Sequence, residues 1–147
     1  MKVADIMTKQ VHTIVPDKTL KECVLALKRH KVNGLVVMDG TQAIGTITKT
    51  DLFKVLLPTY AEIIEDERNI TSFEYLEERA HRFYVKKVRD YMTGGLVTTT
   101  SNMPIIKAGS LMILKNVRQL PVVDNGTLVG IVTLTDIIHY IGDRLPL

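Results

Sequence analysis

Gly130-Ile131-Val132-Thr133-Leu134-Thr135-Asp136 is one of two copies of a heptad in this chain; the other is Gly45-Thr46-Ile47-Thr48-Lys49-Thr50-Asp51. Gly45 maps onto Gly130, and 130 − 45 = 85. The same shift lays Val3 on Val88, Asp5 on Asp90, Met7 on Met92 and Thr8 on Thr93. It also carries Val32, Leu35, Val37 and Asp39 onto Val117, Leu120, Val122 and Asp124 without a gap. A register that persists over half a chain marks an internal duplication.

Working outward from the heptad, each copy reads strand, helix, strand, strand, helix. The first strand is the β-favouring run Val11–Val15, matched by Leu96–Thr100, and Pro16 and Ser101-Asn102 close these runs. An amphipathic helix follows, with Leu20, Val24 and Leu27 on one face and Lys21, Glu22 and Lys28 on the other; Ile105, Ala108 and Met112 repeat the spacing. Asp17 and Asn102 are expected to cap these helices. Two apolar runs then form a hairpin, Leu35–Met38 turning through Asp39-Gly40, and Leu120–Val123 turning through Asn125-Gly126. Both dipeptides suit a type I′ turn, which needs positive φ at its two central residues. Runs apolar at nearly every position predict a sheet covered on both faces. Each copy ends in a second helix, Leu52 to Leu57 and Ile137 to Ile141, limited by Pro58 in one case and by Gly142 and Pro146 in the other.

Residues 58–87 belong to neither copy. Their acids come early (Glu62, Glu65, Asp66, Glu67, Glu74, Glu77, Glu78) and their bases late (Arg79, Arg82, Lys86, Lys87). Tyr75, Leu76 and Phe83 form an apolar edge with Arg79 among them. The segment reads as two short helices in a solvated linker, a docking surface being the alternative. The division is therefore 1–57 for the first repeat, 58–87 for a helical linker and 88–147 for the second, together making one compact module.

With 147 residues, 46% apolar and 24% charged, the chain has the make-up of a soluble globular domain able to bury its own core. Cys23 is the only cysteine, which excludes an intrachain disulfide and fits a reducing compartment. The start, Met1-Lys2-Val3-Ala4-Asp5, has no apolar signal core, and no stretch approaches the roughly 18 apolar residues of a bilayer span. The expected location is the cytoplasm, with no membrane partner. A net charge of +3 without a block of like charges argues against a nucleic-acid tail.

The repeated motifs resemble the cystathionine-β-synthase (CBS) domain, and the whole chain resembles a tandem CBS pair. Asp-x-Met-Thr at each start, Val117-Arg118-Gln119-Leu120-Pro121-Val122-Val123-Asp124, and both Gly-x-x-Thr-x-x-Asp blocks carry the resemblance. The first copy departs from it, with Asn33 in place of Arg118 and Val36 in place of Pro121, which puts the equivalence of the two sites in question. The resemblance implies an α/β (α+β) fold of two β-α-β-β-α repeats packed about a pseudo-twofold axis with a helical insert between them. It also implies a homodimer formed through helices, an adenosine-containing ligand in clefts between the repeats, and a signal passed to an effector protein.

The heptad supports such a ligand on its own terms. An ionised Asp offers two acceptor oxygens to a ribose diol, and a Thr hydroxyl three residues earlier can meet a phosphate near the free N–H groups of a helix start. The Gly admits a ligand or a facing strand close to the backbone. Capping alone explains an Asp at these positions equally well, with Thr50-Asp51 and Thr135-Asp136 as cap pairs; the family resemblance tips the balance toward binding. It implies one cleft of Met92, Val97, Thr98, Arg118 and Gln119 with Thr48 and Asp51. The other would join Met7, His12, Thr13, Asn33 and Gly34 to Thr133 and Asp136. Arg118 can grip a phosphate by two parallel bonds, so the Arg118/Asp51 cleft is expected to prefer the charged nucleotide. The ligand (AMP, ADP, ATP or S-adenosylmethionine) is regulatory, with no cofactor in the catalytic sense.

No catalytic set is legible: there is no Ser/His/Asp order, phosphate-binding glycine loop or dinucleotide glycine pattern. His12, His30, His81 and His139 lack metal-ligand spacing, and Cys23 falls on an apolar helix face where packing suits it better than nucleophilic work. The expectation is therefore a stand-alone regulatory module rather than an enzyme. Two rivals remain: a small hydrolase using the same clefts, and a nucleic-acid binder, suggested by a sequence pI near 9.0.

Overall fold

Helix α1 (Leu20–His30) forms where the apolar spacing places it, burying Leu20, Cys23 and Leu27. Its cap is Thr19 rather than Asp17: Glu22 N donates to Thr19 Oγ1 at 3.2 Å and Thr19 N donates to Glu22 Oε2 at 2.8 Å, a reciprocal capping box. Asp17 is instead hydrogen-bonded to Arg89, 72 positions away, and that guanidinium holds its carboxyl below the usual carboxylate range. The helix ends at Lys31 in the left-handed region, φ 54°, and Asn116 repeats this value after the equivalent helix.

The computed structural model describes residues 1–65 and 73–146; Asp66 and Glu67 of the acidic run lie outside the described residues. Strands β1 (Thr13–Ile14), β2 (Gly34–Asp39) and β3 (Gln42–Thr48) lie in that order in one sheet, with β1 parallel to β2. Helix α2 (Lys49–Leu56) follows directly. The insert supplies α3 (Tyr60–Glu65) and α4 (Phe73–Tyr84), and α5 (Val88–Tyr91) opens the second copy. That copy continues with α6 (Ile105–Leu114), the antiparallel pair β4 (Gln119–Asp124) and β5 (Thr127–Thr133), and α7 (Leu134–Arg144). No helix among the described residues is long and apolar enough to cross a membrane.

Several local readings are corrected. The first strand of the second copy shrinks to a single parallel bridge, Thr99 to Val122. Pro104, not Asn102, precedes α6 and offers no side-chain cap. The terminal helices start three residues before Leu52 and Ile137, because Thr48 and Thr133 are the true N-caps and Asp51 and Asp136 close the boxes from the third helical position. Gly142 lies inside α7, which ends at Arg144 beside the Leu145-Pro146 stop. The second hairpin turns through Asn125 and Gly126, both with positive φ, as type I′ requires. The first turns one residue later than expected, at Gly40-Thr41, where only Gly40 (φ +60°) is left-handed, the pattern of a II′ turn.

The insert is more than a solvated linker. On α4, Tyr75, Leu76, Arg79 and Phe83 are half-buried along one face while Glu77, Glu78 and Arg82 are exposed. Arg79 Nε donates to the Val55 carbonyl at 2.8 Å and Phe83 packs on the core beneath.

Contacts divide the chain into two units that cut across the sequence repeats: residues 12–39 with 44–94, and residues 1–11 with 40–43 and 95–147. Each repeat's opening segment joins the unit built on the other repeat. In the first unit Val88 N donates to Lys18 O (2.9 Å), Arg89 N to Pro16 O (3.0 Å) and Leu20 N to Lys86 O (2.8 Å). Under the repeat shift the second unit reproduces all three: Val3 N to Met103 O (2.8 Å), Ala4 N to Ser101 O (2.9 Å) and Ile105 N to Met1 O (3.1 Å). Val88 completes a core of Ile14, Leu20, Cys23, Leu27, Leu35, Val37, Ile47 and Leu52. Val3 completes one of Ala108, Met112, Leu120, Val122, Val132 and Ile137. Burial pushes the Cys23 thiol up to about 11, so it packs as a neutral hydrophobe.

The heptad glycines serve the same exchange. Thr46 and Thr93 trade backbone hydrogen bonds at 3.1 and 2.8 Å, and Ile131 and Thr8 do so at 2.9 and 2.9 Å. A Cβ on Gly45 would lie 2.5 Å from the Thr93 carbonyl oxygen; one on Gly130 would lie 2.9 Å from the Thr8 oxygen and 2.8 Å from Met7 Sδ. Gly45→Ala is therefore expected to destabilise the chain by about 2–3 kcal/mol, with Gly130→Ala somewhat milder because the Met7 side chain can swing aside. Urea denaturation measures both; wild-type midpoints for the two variants would refute this account of the glycines.

Candidate functional site

Each terminal helix starts where a strand ends, so the capping chemistry fixes the heptad carboxylates. Thr48 N donates to Asp51 Oδ2 at 2.9 Å and Asp51 N to Thr48 Oγ1 at 3.3 Å; Thr133 N donates to Asp136 Oδ2 at 2.8 Å and Asp136 N to Thr133 Oγ1 at 3.0 Å. Capping consumes one oxygen of each carboxylate and orients the other. Binding and capping, alternatives in the sequence, are thus compatible in one residue.

In the first unit, Asn33 immediately precedes β2, and its carbonyl accepts from Lys49 N at 2.9 Å, which ties Asn33 and Gly34 to the start of α2 and hence to Thr48 and Asp51. Thr93 Oγ1 donates to Asp51 Oδ1 at 3.2 Å, while Met92 packs against the core with its sulfur 3.4 Å from where a Gly45 Cβ would lie. Thr13 is exposed on β1. The His12 carbonyl accepts from Val36 N at 3.2 Å, and its ring stacks on His30, the last residue of α1, with centroids 3.9 Å apart and planes 17° apart.

The second unit repeats the frame with different chemistry. Leu134 N donates to the Arg118 carbonyl at 3.0 Å, and Gln119 faces Thr133 in the β4–β5 register. Arg118 is exposed, and its guanidinium makes no ion pair or hydrogen bond with a described residue. Gln119 Nε2 is shielded from solvent and has no hydrogen-bond partner among the described residues. Met7 lies against Gly130; half-buried Val97 and exposed Thr98 lead to the Thr99 bridge.

Within the units, then, Asn33, Gly34, Thr48, Asp51 and Met92 fall in one, with Thr13 on the same sheet's first strand and His12 just before it. Met7, Val97, Thr98, Arg118, Gln119, Thr133 and Asp136 fall in the other. Arg118 thus shares a unit, and a strand end, with Asp136. Thr93, outside the expected set, is the added contributor; its place one residue after Met92 in the repeated Asp-x-Met-Thr motif was the available signal. Among the described residues, no group of three or more His, Cys, Asp or Glu side chains could hold a metal ion.

The CBS domain family model matches residues 3–58 and again residues 88–143. The chain is 31% identical to MJ1426 of Methanocaldococcus jannaschii over 153 aligned positions, covering 95% of this chain and 90% of that one. The solved CBS-pair protein CBSX2 from Arabidopsis thaliana superimposes with a TM-score of 0.78 at 26% identity, covering 97% of this chain and 94% of that one. A CBSX2 structure in complex with AMP superimposes at 0.73 with 25% identity, covering 97% and 96% of the two chains.

The imidazole stack carries its own test. Loss of hydration lowers the pKa of His30 below the usual imidazole range, and the charges of His12 and Arg29 push the same way. A lowered value means the folded protein favours neutral His30, so this contribution to stability is present at neutral pH and is lost as pH falls through the folded value. NMR titration is expected to place His30 below the ordinary value of about 6.5, and His12→Phe should move it upward. An unchanged midpoint in His12→Phe would remove the coupling.

Proposed function

The chain belongs to the CBS domain family, and on that premise we propose that it is a regulatory module which binds an adenosine-containing ligand and passes that binding to a partner protein. Candidate ligands are AMP, ADP, ATP and S-adenosylmethionine. The carrying observation is the Asp136 strand end: Oδ2 is spent on the helix cap, and Oδ1 accepts no hydrogen bond from a described residue. That oxygen can take a ribose hydroxyl, and the Thr133 hydroxyl and the start of α7 can meet polar ligand groups; the Arg118 guanidinium, which pairs with no described residue, is suited to a phosphate. The likeness to a CBSX2 that binds AMP supports an adenine nucleotide.

Transmission requires only that ligand and partner favour the same packing of the chain, which couples their affinities reciprocally. A second copy of the chain is the first partner proposed. Helices α6 and α7 pack together, and they leave Ile106 and Ile113 (77% and 76% exposed) on one and Ile138 and Ile141 on the other at helical spacing on open faces. Burying such faces against a copy of themselves would give the helix-paired dimer that the resemblance implies. The single, buried cysteine suits the reducing cytoplasm.

Binding is favoured over hydrolysis because His12, the histidine nearest the set, stacks on another imidazole rather than being oriented by a carboxylate. It is favoured over nucleic-acid recognition because the densest basic stretch is partly neutralised, Lys87 and Arg89 both pairing with Asp17.

A thermal melt with each of the four ligands is the direct test. At a hundredfold excess over the dissociation constant, a ligand that binds only the folded chain adds about 2.7 kcal/mol, which for this length raises the Tm by roughly 5–10 °C. Unshifted melts with all four ligands would overturn the reading.

A further inference from the structure

The insert carries chemistry that the duplication does not use. Where α4 ends, Arg79, Arg82, Phe83 and Lys86 line one open cleft of about 360 Å³. That volume falls at the small end of the range for small-molecule sites. Three of the four lining residues are cations and none is an acid. All belong to the first unit, and Arg79 reaches the Val55 carbonyl in the last turn of α2, the end of that helix away from Asp51. The cleft is therefore separate from the heptad carboxylates.

The cations are held in place without being neutralised. Arg79 Nε donates to the Val55 carbonyl at 2.8 Å and Nη1 to the Tyr75 hydroxyl at 2.9 Å, with Glu62 Oε2 3.5 Å from Nη1. Its Nη2 has no partner among the described residues. The Lys86 backbone is fixed from both sides: its N–H donates to the Phe83 carbonyl at 2.9 Å, and its carbonyl accepts from Leu20 N at 2.8 Å. The Lys86 ammonium and the exposed Arg82 guanidinium make no hydrogen bond or ion pair with a described residue. Glu78 precedes Arg82 by four positions, the favourable order for a helix ion pair, yet the two are not paired. The neighbouring cations Lys87 and Arg89 both find Asp17; Arg82 and Lys86 have no such acid.

The dipole of α4 favours a cation in its last turn, which suits Arg82. It does not explain Lys86, which lies beyond the helix, or the aromatic wall. Phe83 is half-buried on the core, its ring set edge-to-face against Tyr91 at 5.8 Å, with the Arg79 guanidinium 5.5 Å from its centroid. Arg and Lys recognise phosphate through charge-assisted hydrogen bonds, and an aromatic face offers a surface to the rest of a ligand.

We propose that this cleft binds a phosphate-bearing small molecule, its phosphate met by Arg82, Lys86 and the free Nη2 of Arg79, its organic part against Phe83. The site is additional to the nucleotide reading and independent of it. Lys86 ties α4 to α1 through Leu20 N and stands two residues before Val88, which completes the core. Ligand here would therefore stabilise the unit that the exchanged segment closes.

Phenyl phosphate, titrated into the full chain and followed by amide NMR, is the probe, with inorganic phosphate beside it. One saturable site per chain is expected, with shifts centred on Arg82, Phe83 and Lys86 and tighter binding of phenyl phosphate than of inorganic phosphate. Replacing both free cations, Arg82→Gln with Lys86→Gln, should weaken phenyl phosphate at least about tenfold, the loss of charge-assisted hydrogen bonds. Lys87→Gln removes a neighbouring cation outside the cleft and should leave the affinity unchanged. Circular dichroism melts of each variant separate lost binding from lost fold.

Failure to saturate, shifts spread evenly over the basic surface, or wild-type affinity in the folded double variant would each defeat the proposal. Equal affinity for phenyl and inorganic phosphate would remove Phe83 from the site. A single-stranded oligonucleotide that displaces phenyl phosphate, with a steep salt dependence and weakened by Lys87→Gln, would put nucleic acid in place of the small molecule.

Discussion

Val3 and Val88, both fully buried, belong by sequence to one repeat and by packing to the other. Everything else in the fold depends on that exchange. Each core lacks a wall until the opening segment of the opposite repeat closes it, and the backbone hydrogen bonds around each valine match one for one under the repeat shift. Neither repeat therefore contains all the parts of a folded unit. The exchanged segment also supplies the peptide that runs beside β3 or β5, and this is why the heptad opens on glycine. The close approach that the sequence left open between a ligand and a facing strand is made by a strand.

The same exchange shapes the candidate site. Thr93 lies beside Asp51 where the segment after α5 is drawn alongside β3 by its hydrogen bonds to Thr46, although the same pairing of Thr8 with Ile131 brings no hydroxyl to Asp136. A structural device thus places a hydroxyl next to a carboxylate that duplication alone would have left equal to its twin. Duplication preserves the backbone and lets the side chains part company: Asn33 against Arg118, and a bonded Thr93 against an unbonded Thr8.

Much of this was legible in the sequence because burial leaves periodic traces. The buried face of α1, the apolar strands and the Asn125-Gly126 turn follow from spacing and from φ requirements. Misplaced caps mark the limit of local reading. Asp17 has the right chemistry for a cap but finds Arg89, distant in sequence, while Thr19 and Glu22 close the box. Apolar spacing sets the start of the terminal helices three residues late, because an apolar residue signals where a helix is buried, not where its first N–H is satisfied. Most hidden of all was the division into units, since nothing in a repeat's own sequence says which core its first segment will enter.

The candidate residues stand out in the sequence by repetition. Thr48, Asp51, Thr133 and Asp136 stand out as repeated polar residues at strand ends, and Arg118 as a cation in one copy alone. What spacing could not resolve was the competition between capping and binding, and the structure shows why the question was wrongly posed as a choice. A capping box spends one carboxylate oxygen and aims the other, so helix formation is what prepares the acceptor. At Asp51 that second oxygen also accepts from Thr93 Oγ1, a residue of the other repeat. The decisive contact is long-range, made by a side chain whose counterpart in the other copy is chemically identical, and only the hydrogen-bond accounting of the folded chain tells the two apart.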